Sequence, residues 1–183
     1  MKTKTHVGNV TLILDRPIWQ RTTRVLLGLK RKKRKGDEKR TRKVVGSGKF
    51  VPPGGATEPT DKSQKHSAQR EVLQETGIFI PLRCFRKVGI LRGYINDNPT
   101  PLWLVHIYLA NIGRIDKIFA PNEEYEKMCW FFAHSLPHDQ MLSSDKYWMY
   151  RLLTGEKLSI RIRYKDNTDK ETSVYIRPIS SFN

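Results

Sequence analysis

The chain has 183 residues, which is enough for one folded domain with a substantial apolar core. Its 34 lysines and arginines outnumber its 18 aspartates and glutamates, and the formal net charge of +16 favours binding to polyanions. No apolar run is long enough to cross a bilayer and no secretory signal pattern is present, so we expect a cytoplasmic protein, or a nuclear one in a eukaryote. Cys84 and Cys129 lie far apart in apolar segments, which indicates reduced thiols.

The N-terminal part of the chain combines two predicted strands with a strongly basic segment. Strands are predicted at 9–15 and 24–29, separated by a turn-rich stretch. The segment from Lys30 to Lys43 then carries ten basic and two acidic residues and belongs to a predicted loop insertion at 30–49. It is either a solvated loop or a contact surface for RNA or another polyanion, and its lack of interleaved aromatic residues gives no support for base stacking.

The segment from Phe50 to Ile78 joins a glycine bend to one predicted helix. The run from Pro52 to Gly55 cannot continue a helix or a central strand, so it marks a tight bend where the backbone can approach a ligand. A helix is predicted from about Ser63 to Thr76, with Asp61 or Ser63 as its cap and Gly77 as its end.

The predicted helix places three oxygen-bearing side chains on one face, at positions i, i+3 and i+4: Glu71, Gln74 and Glu75. Two carboxylates and an amide oxygen beside a glycine bend suit a hard divalent cation such as Mg²⁺, with Mn²⁺ also possible. The alternative interpretation is a solvated polar face of the helix.

Further strands and a second helix are predicted after this motif. The stretches 84–95 and 101–112 are expected to form an antiparallel pair around an Asn-Asp-Asn-Pro turn. An acidic patch with Glu123, Glu124 and Glu126 precedes a short strand at 128–132. A helix is predicted at 146–153, ended by Gly155, and alternating strands follow at 158–164 and 174–176.

The order of a diglycine, Asp61, Arg70-Glu71-Val72, Glu75 and Gly77-Ile78 resembles the Nudix box, whose pattern is G-x5-E-x7-R-E-U-x-E-E-x-G-U with U aliphatic. This sequence departs from the pattern because Asp61 replaces a glutamate, one extra residue precedes Arg70, and Gln74 replaces the first acid of the glutamate pair. The resemblance covers most of the chain. It implies an α/β protein, the Nudix α/β/α sandwich with a mixed β-sheet, as a single domain over 1–183.

Segments at 24–30, 82–91, 129–132 and 145–164 sharpen this resemblance towards MutT-like enzymes, in particular the animal-type hydrolases of oxidised purine nucleoside triphosphates such as 8-oxo-dGTP. The resemblance implies hydrolysis to the monophosphate and pyrophosphate, with metal ligands at Gly55, Glu71, Gln74 and Glu75. Arg70 would orient the acids. Glu123, Glu124 and Glu126 are candidates for a further catalytic acid, with Glu124 and Glu126 ahead, and a solubilising loop is the alternative. Val51, Leu142, Ser144 and Asp145 stand at the positions of the subgroup's base contacts. Phe50 and Trp148 are further candidates to line a base pocket, with a plain core role as the alternative.

Three functions remain open at this point. The first is hydrolysis of a nucleoside triphosphate, with a modified purine as the expected substrate. The second keeps the chemistry but acts on an RNA 5′ end, which the segment 30–43 would hold for pyrophosphate or cap removal. The third is a Nudix-fold protein that binds nucleotides or RNA without hydrolysing them. The sequence leaves monomer and homodimer open, and no histidine has the spacing of a metal ligand.

Overall fold

The computed structural model describes residues 4–32, 46–115, 118–165 and 171–182. Most of the basic segment, 33–43, therefore lies outside the described residues, as do residues 166–170 between the last two predicted strands. The strands are β1 (His6–Leu14), β2 (Arg24–Lys30), β3 (Phe50–Val51), β4 (Phe85–Ile95), β5 (Trp103–Asn111), β6 (Tyr125–Phe132), β7 (Leu158–Tyr164) and β8 (Glu171–Pro178). The helices are α1 (Gln64–Thr76) and α2 (Asp145–Leu153).

The elements predicted from the sequence are present in this order, with shifted ends. β1 begins three residues before the predicted start at Asn9, and β6 begins at Tyr125 rather than Met128. The short strand β3 was not predicted, because two residues are too few to produce an alternating pattern. β4 and β5 form the predicted antiparallel pair, with a register shift between Lys87 and Gly89.

The strands form one mixed sheet in the order β3-β2-β1-β5-β4-β7-β8, and β6 pairs with β2. The pairs β1–β5 and β4–β7 are parallel, while the other pairs are antiparallel. This arrangement confirms the mixed sheet that the resemblance implies.

Two strands, β1 and β3, pair with the same edge of β2, and the gap between them determines where the glycine bend lies. β1 pairs with the start of β2, where Leu14 lies opposite Val25, and β3 pairs with its end, where Val51 lies opposite Gly28. Beyond β3 the chain turns alongside β1, since Thr11 N donates to the Pro53 carbonyl (2.8 Å). The bend is therefore held in the gap that opens between β1 and β3.

The two helices cover opposite faces of the sheet. α1 packs its apolar pair, Ala68 and Val72, into a buried cluster that includes Ile13 and Leu26. α2 packs on the other face, in a cluster with these buried members: Leu12, Ile107, Met149, Leu152, Leu158 and Ile160. This α/β/α arrangement confirms the predicted fold class. Within the described residues, no helix has the length and apolar character needed to span a membrane.

Candidate active site

α1 has well-defined ends, and these fix the position of its polar face. Ser63 is the N-cap, and its Oγ accepts a hydrogen bond from His66 N (3.3 Å). At the other end Gly77 adopts a left-handed conformation with φ of 65°, and its N–H donates to the Leu73 carbonyl. Of the two caps predicted from the sequence, Ser63 is therefore the correct one, and Asp61 has a different role.

The glycine bend is held tightly against β1. Gly54 has a φ of 153°, and a Cβ at this position would lie 2.2 Å from the Asn9 carbonyl oxygen. Gly55 accepts a hydrogen bond on its carbonyl from Asn9 N (2.9 Å). Because Asn9 Nδ2 also donates to Ser67 Oγ of α1 (2.8 Å), β1 connects the bend and the helix to each other.

Arg70 organises the polar side of α1. Its Nε and Nη2 donate to the two oxygens of Asp61 (3.0 and 2.9 Å), a bidentate ion pair. Its Nη1 donates to Glu71 Oε1 (2.8 Å) and to Gln74 Oε1 (3.1 Å). Hydrogen bonding from Arg70 holds the pKa of Asp61 well below its ordinary value. The shorter acid at 61 thus reaches the arginine despite the extra residue between them.

The Glu71 carboxyl group lies directly against Gly55. A Cβ at position 55 would be 2.6 Å from Glu71 Oε1, so only glycine leaves room for this carboxyl group. Burial raises the pKa of Glu71, although the Arg70 guanidinium opposes that rise. The site therefore brings a partly desolvated acid directly against the backbone of the bend.

Glu75 is the most strongly perturbed acid of the helix. Its Oε2 accepts hydrogen bonds from Gly54 N (2.8 Å) and from the Tyr125 hydroxyl (3.1 Å). Burial raises the pKa of Glu75 to about 8, while the Gly54 N–H, the Lys30 ammonium and the Tyr125 hydroxyl favour the ionised form. Buried acids with raised pKa values in a polar recess are typical of functional sites.

Tyr125 reaches Glu75 because a glycine on the neighbouring strand gives it space. A Cβ at Gly28 would lie 2.3 Å from Cδ1 of the Tyr125 ring. The ring is almost completely buried. The pKa of its hydroxyl is raised well above the ordinary value, mainly by burial and then by the negative charge of the nearby Glu75. Tyr125 was missed in the sequence, where only its place beside the acidic patch gave a signal.

The loop before β6 brings a further charged pair to this side of the molecule. Lys30 Nζ and Glu124 Oε1 form an ion pair at 2.7 Å. Asn122 ties the loop to α1, since its Nδ2 donates to the Glu75 carbonyl (2.7 Å) and its Oδ1 accepts from the backbone N–H groups of Glu124 and Tyr125. Lys30 was not among the site residues predicted from the sequence.

The residues expected to contact the substrate lie in the interior. A parallel bridge between Phe50 and Met141 brings β3 alongside the segment that leads into α2. Phe50 and Trp148 belong to the buried cluster under α2, whereas Val51 is buried on the α1 side and Leu142 packs against that cluster.

The α2 N-terminus contains two further predicted contacts, and both are buried. Ser144 is the N-cap residue, but its side chain makes no capping hydrogen bond. Burial raises the pKa of Asp145 to about 8, and contact with Trp148 offsets only part of that rise. The Trp148 indole Nε1 is buried without a partner that meets hydrogen-bond geometry, so this contact is weak. In place of a capping bond, the Ser144 Oγ accepts a long hydrogen bond from the Tyr164 hydroxyl (3.4 Å).

The described residues contain no group of three or more His, Cys, Asp or Glu side chains placed to hold a metal ion. Glu71 and Glu75 nevertheless fit a hard cation in two respects. Their ligating atoms would be oxygens, and the missing side chain at Gly55 lets the Glu71 carboxyl group lie against the backbone of the bend. Further oxygen atoms, from Gln74, the backbone, water or a phosphate, would have to complete the coordination.

Comparison with known proteins places this geometry in a family. The family model described as the NUDIX domain matches residues 17–152, which is more than half of the chain. No curated protein sequence matches the chain.

Solved structures with the same fold are numerous, and three of them illustrate the range. The mutator MutT protein from Bacillus halodurans has a TM-score of 0.64 and 20% identity, over 93% of this chain and 97% of that one. The NUDIX domain of Shewanella oneidensis NrtR, solved with ADP ribose, has a TM-score of 0.53 and 13% identity, over 81% and 89%. A bifunctional NMN adenylyltransferase/ADP ribose pyrophosphatase from Francisella tularensis, solved with AMP and a Mn ion, has a TM-score of 0.54 and 16% identity, over 82% and 41%.

Proposed function

The chain belongs to the Nudix family, and we propose that it is a Mg²⁺-dependent pyrophosphohydrolase that cleaves a nucleoside triphosphate to the monophosphate and pyrophosphate. The observation that carries this proposal is the pair of partly buried acids, Glu71 and Glu75, whose pKa values are raised beside the diglycine of the bend. Burying two carboxyl groups one helical turn apart is unfavourable unless a cation compensates their charges. The similar solved structures show only that this chain shares their fold. The substrate named here is therefore part of the proposal.

Glu71, Gln74 and Glu75 are the side chains that would hold the metal, and Gly55 marks the backbone beside it. A bound divalent cation would stabilise negative charge on the phosphate oxygens during hydrolysis. Gln74 would contribute a neutral oxygen, and that oxygen now accepts a hydrogen bond from Arg70. We therefore expect weaker metal binding than a third carboxylate would give, with Mn²⁺ also accepted.

The protein's own residues would position the reactants. Arg70, fixed by Asp61, holds Glu71 and Gln74 in place through its Nη1. Water attacks one phosphorus atom, the bond to the bridging oxygen breaks, and a carboxylate accepts the proton of the water. Glu124 is the proposed proton acceptor. The ion pair with Lys30 fixes its carboxylate, and the same Lys30 ammonium is close enough to Glu75 to favour the ionised form of that acid.

For the base we propose a modified purine held between β3 and the start of α2, with Phe50, Val51, Leu142, Ser144, Asp145 and Trp148 as the contacts. Asp145 is the most informative of these residues, because a carboxyl group with a pKa of about 8 is largely protonated at neutral pH. A protonated carboxyl group can donate a hydrogen bond to an acceptor on the base edge. Asp145→Asn, which keeps a donor, should then retain a lower KM than Asp145→Ala.

The decisive test is a pyrophosphate-release assay with Mg²⁺ over normal and oxidised nucleoside triphosphates. We expect Glu75→Gln to lose about 10²- to 10⁴-fold in turnover, as removal of an essential catalytic carboxylate does. Glu156→Gln is the matched control, because Glu156 pairs with Arg151 at the end of α2 and should leave turnover unchanged. Equal rates for the wild type and Glu75→Gln on every substrate would refute the proposed hydrolysis.

One observation favours a second candidate, nucleotide binding without hydrolysis. The Glu75 carboxyl group is satisfied by Gly54 and Tyr125, and the Gln74 oxygen by Arg70, so these groups are held without a cation. Calorimetry separates the two functions. Tight nucleotide binding in EDTA, with no product after Mg²⁺ is added, would support the binding protein, whereas Mg²⁺-dependent binding with pyrophosphate release would support the enzyme.

A further inference from the structure

A second charged region lies on the same side of the sheet as α1, at the opposite end from the candidate site. α1 covers β1, whereas the outer strands β4, β7 and β8 carry exposed polar side chains on this side. On β7, Leu158, Ile160 and Ile162 are buried under α2. Because alternate residues of a strand point to opposite faces, Ser159, Arg161 and Arg163 lie on the other face.

The neighbouring strands extend this pattern across the sheet. On β8, Tyr175 pairs directly with Arg161 and Arg177 with Ser159, and on β4 Tyr94 pairs with Arg163. We call this set of residues the arginine face: Tyr94, Ser159, Arg161, Arg163, Tyr175 and Arg177. Together with flanking residues these side chains line a groove of about 520 Å³.

The strands that build the arginine face concentrate positive charge and contain almost no acid. β4, β5, β7 and β8 contain one acidic residue, Glu171, and its carboxylate accepts a hydrogen bond from Ser143 on the α2 side. Within the described residues, the side chains of Arg161 and Arg177 form no ion pair or hydrogen bond. Like charges on adjacent strands repel one another, so a bound anion would be favoured here.

The positive potential extends inwards along the same side of the sheet. Burial, followed by the charges of Lys87 and Arg92, lowers the pKa of His106 to about 4. Arg92 lies beside Arg161 in the sheet and contacts Ser159 Oγ at 3.5 Å. A row of cations therefore runs from the middle of β4 to the sheet edge at β8.

Aromatic rings are interleaved with these cations. The Arg163 guanidinium lies over the Tyr94 ring, 5.3 Å from its centroid. Tyr175 is 61% exposed and lies opposite Arg161, so its ring is available to a ligand. Exposed tyrosines do not contribute to binding phosphate alone, but they provide surfaces on which unpaired bases stack.

We propose that the arginine face binds a single-stranded nucleic acid, with the arginines at its phosphates and the tyrosines at its bases. Two features favour this ligand over a membrane or a duplex. The face is a groove that can follow a chain, whereas a lipid surface is flat, and the rings need unpaired bases, which a duplex hides in its own stack. This binding is separate from hydrolysis, because the arginine face shares no residue with the candidate active site.

The test is fluorescence anisotropy with a labelled twelve-nucleotide oligouridylate that carries a 5′-hydroxyl group, so that the hydrolytic site has no phosphoanhydride to recognise. The arginine-face variant is the full chain with Arg161→Gln, Arg163→Gln and Arg177→Gln. The charge-matched control removes the same charge from exposed positions elsewhere, by Arg21→Gln, Arg86→Gln and Lys146→Gln. We expect the arginine-face variant to bind at least tenfold more weakly and the slope of log K against log salt to fall by about 2. Pyrophosphate release by the same variant should equal that of the wild type.

A second variant identifies the ligand class. Tyr175→Ala should weaken oligouridylate binding roughly tenfold and leave binding of inorganic polyphosphate unchanged, because polyphosphate has no bases to stack. Equal losses in the arginine-face variant and the charge-matched control would overturn the proposal, as would an unchanged affinity in Tyr175→Ala or a preference for a duplex. Oligodeoxythymidylate in place of oligouridylate shows whether the ligand is RNA or DNA, and binding of neither by the wild type also refutes the proposal.

Discussion

The candidate active site and the arginine face both gather like charges, but they do so in opposite ways. At the active site the acids are largely buried, and cations lie among them, as in the ion pairs of Arg70 with Glu71 and of Lys30 with Glu124. On the arginine face Arg161 and Arg177 are exposed, and they form no ion pair with any described residue. Buried charges need fixed partners, whereas exposed charges are stabilised by water. Small structural changes at the active site should therefore alter activity. Substitutions on the arginine face should leave the fold stable and show their effect only in ligand binding.

Among substitutions that leave the acids themselves in place, Gly55→Ala should produce the largest effect on activity. The new Cβ would stand 2.6 Å from Glu71 Oε1, so the carboxyl group must move away from the bend. A shift of about 1 Å at a catalytic group can reduce turnover about 100-fold. The flexible glutamate end can yield without unfolding the helix, so the melting temperature should change little. Pyrophosphate release and thermal unfolding measured on the same sample check this prediction, and full activity in the variant would show that the position of Glu71 is not critical.

Asp61→Asn should have the next largest effect, on stability. Asp61 is 5% exposed in its bidentate pair with Arg70, and loss of hydrogen bonds to a charged partner costs about 2 kcal/mol. Glu58→Gln is the control, since Glu58 contacts the same arginine at 3.3 Å but is 54% exposed, and it should change the free energy of unfolding by less than about 0.5 kcal/mol. The free energies of urea unfolding of both variants compare two ion pairs of Arg70, one with a buried carboxylate and one with an exposed carboxylate.

The pH dependence of this difference follows from the lowered pKa of Asp61 in the folded state. Its stabilising contribution is complete above the ordinary pKa of 3.8 and decreases as the pH falls further towards the folded pKa. The difference in free energy of unfolding between wild type and Asp61→Asn should therefore be constant from pH 5 to pH 7, because the pKa in the unfolded chain is about 3.9. This difference should narrow below pH 4. A gap that widened in acid would contradict the ion pair as its source.

Local sequence signals predicted α1 accurately, because a cap, a helical period and a terminal glycine act within a few residues. Ser63 and Gly77 end the helix as expected, and Glu71 and Glu75 meet the glycine bend. The pattern was less informative about Asp61, since a shorter acid with one extra residue looks like a departure in the sequence but reaches Arg70 in the structure.

Contacts that depend on strand register could not be predicted. Tyr125 bonds to Glu75 across 50 residues, and it does so only because Gly28 on the paired strand leaves space for its ring. The parallel pairing of β1 with β5 was missed for the same reason, since no local pattern specifies which strands become neighbours. The arginine face was also missed: the alternation in β7 was recognised, but its polar side has a function only when β4 and β8 are placed beside it.

Tyr125→Phe should have a moderate effect on the active site. It removes one hydrogen bond to Glu75, which is worth about 1 kcal/mol, or roughly a fivefold loss of turnover. Tyr108→Phe is the matched control, because Tyr108 is a buried tyrosine of the same α1-side cluster outside the site. Equal turnover in the two variants would mean that Gly54 alone is sufficient to orient Glu75.

The smallest effect is expected for the stability of the arginine-face variant, with glutamine at 161, 163 and 177. Exposed substitutions usually change the free energy of unfolding by no more than about 0.5 kcal/mol, and relief of repulsion between neighbouring arginines should partly offset the loss of the contact between Arg163 and Tyr94. Urea unfolding in low and high salt measures this balance, because salt screens the repulsion. The variant should therefore be closest to wild type in stability at low salt, where relief of repulsion is largest, and should lose more stability at high salt. A loss above 1 kcal/mol in both conditions would mean that these arginines serve the fold rather than a ligand, and the contrast with the buried acids of the active site would then fail.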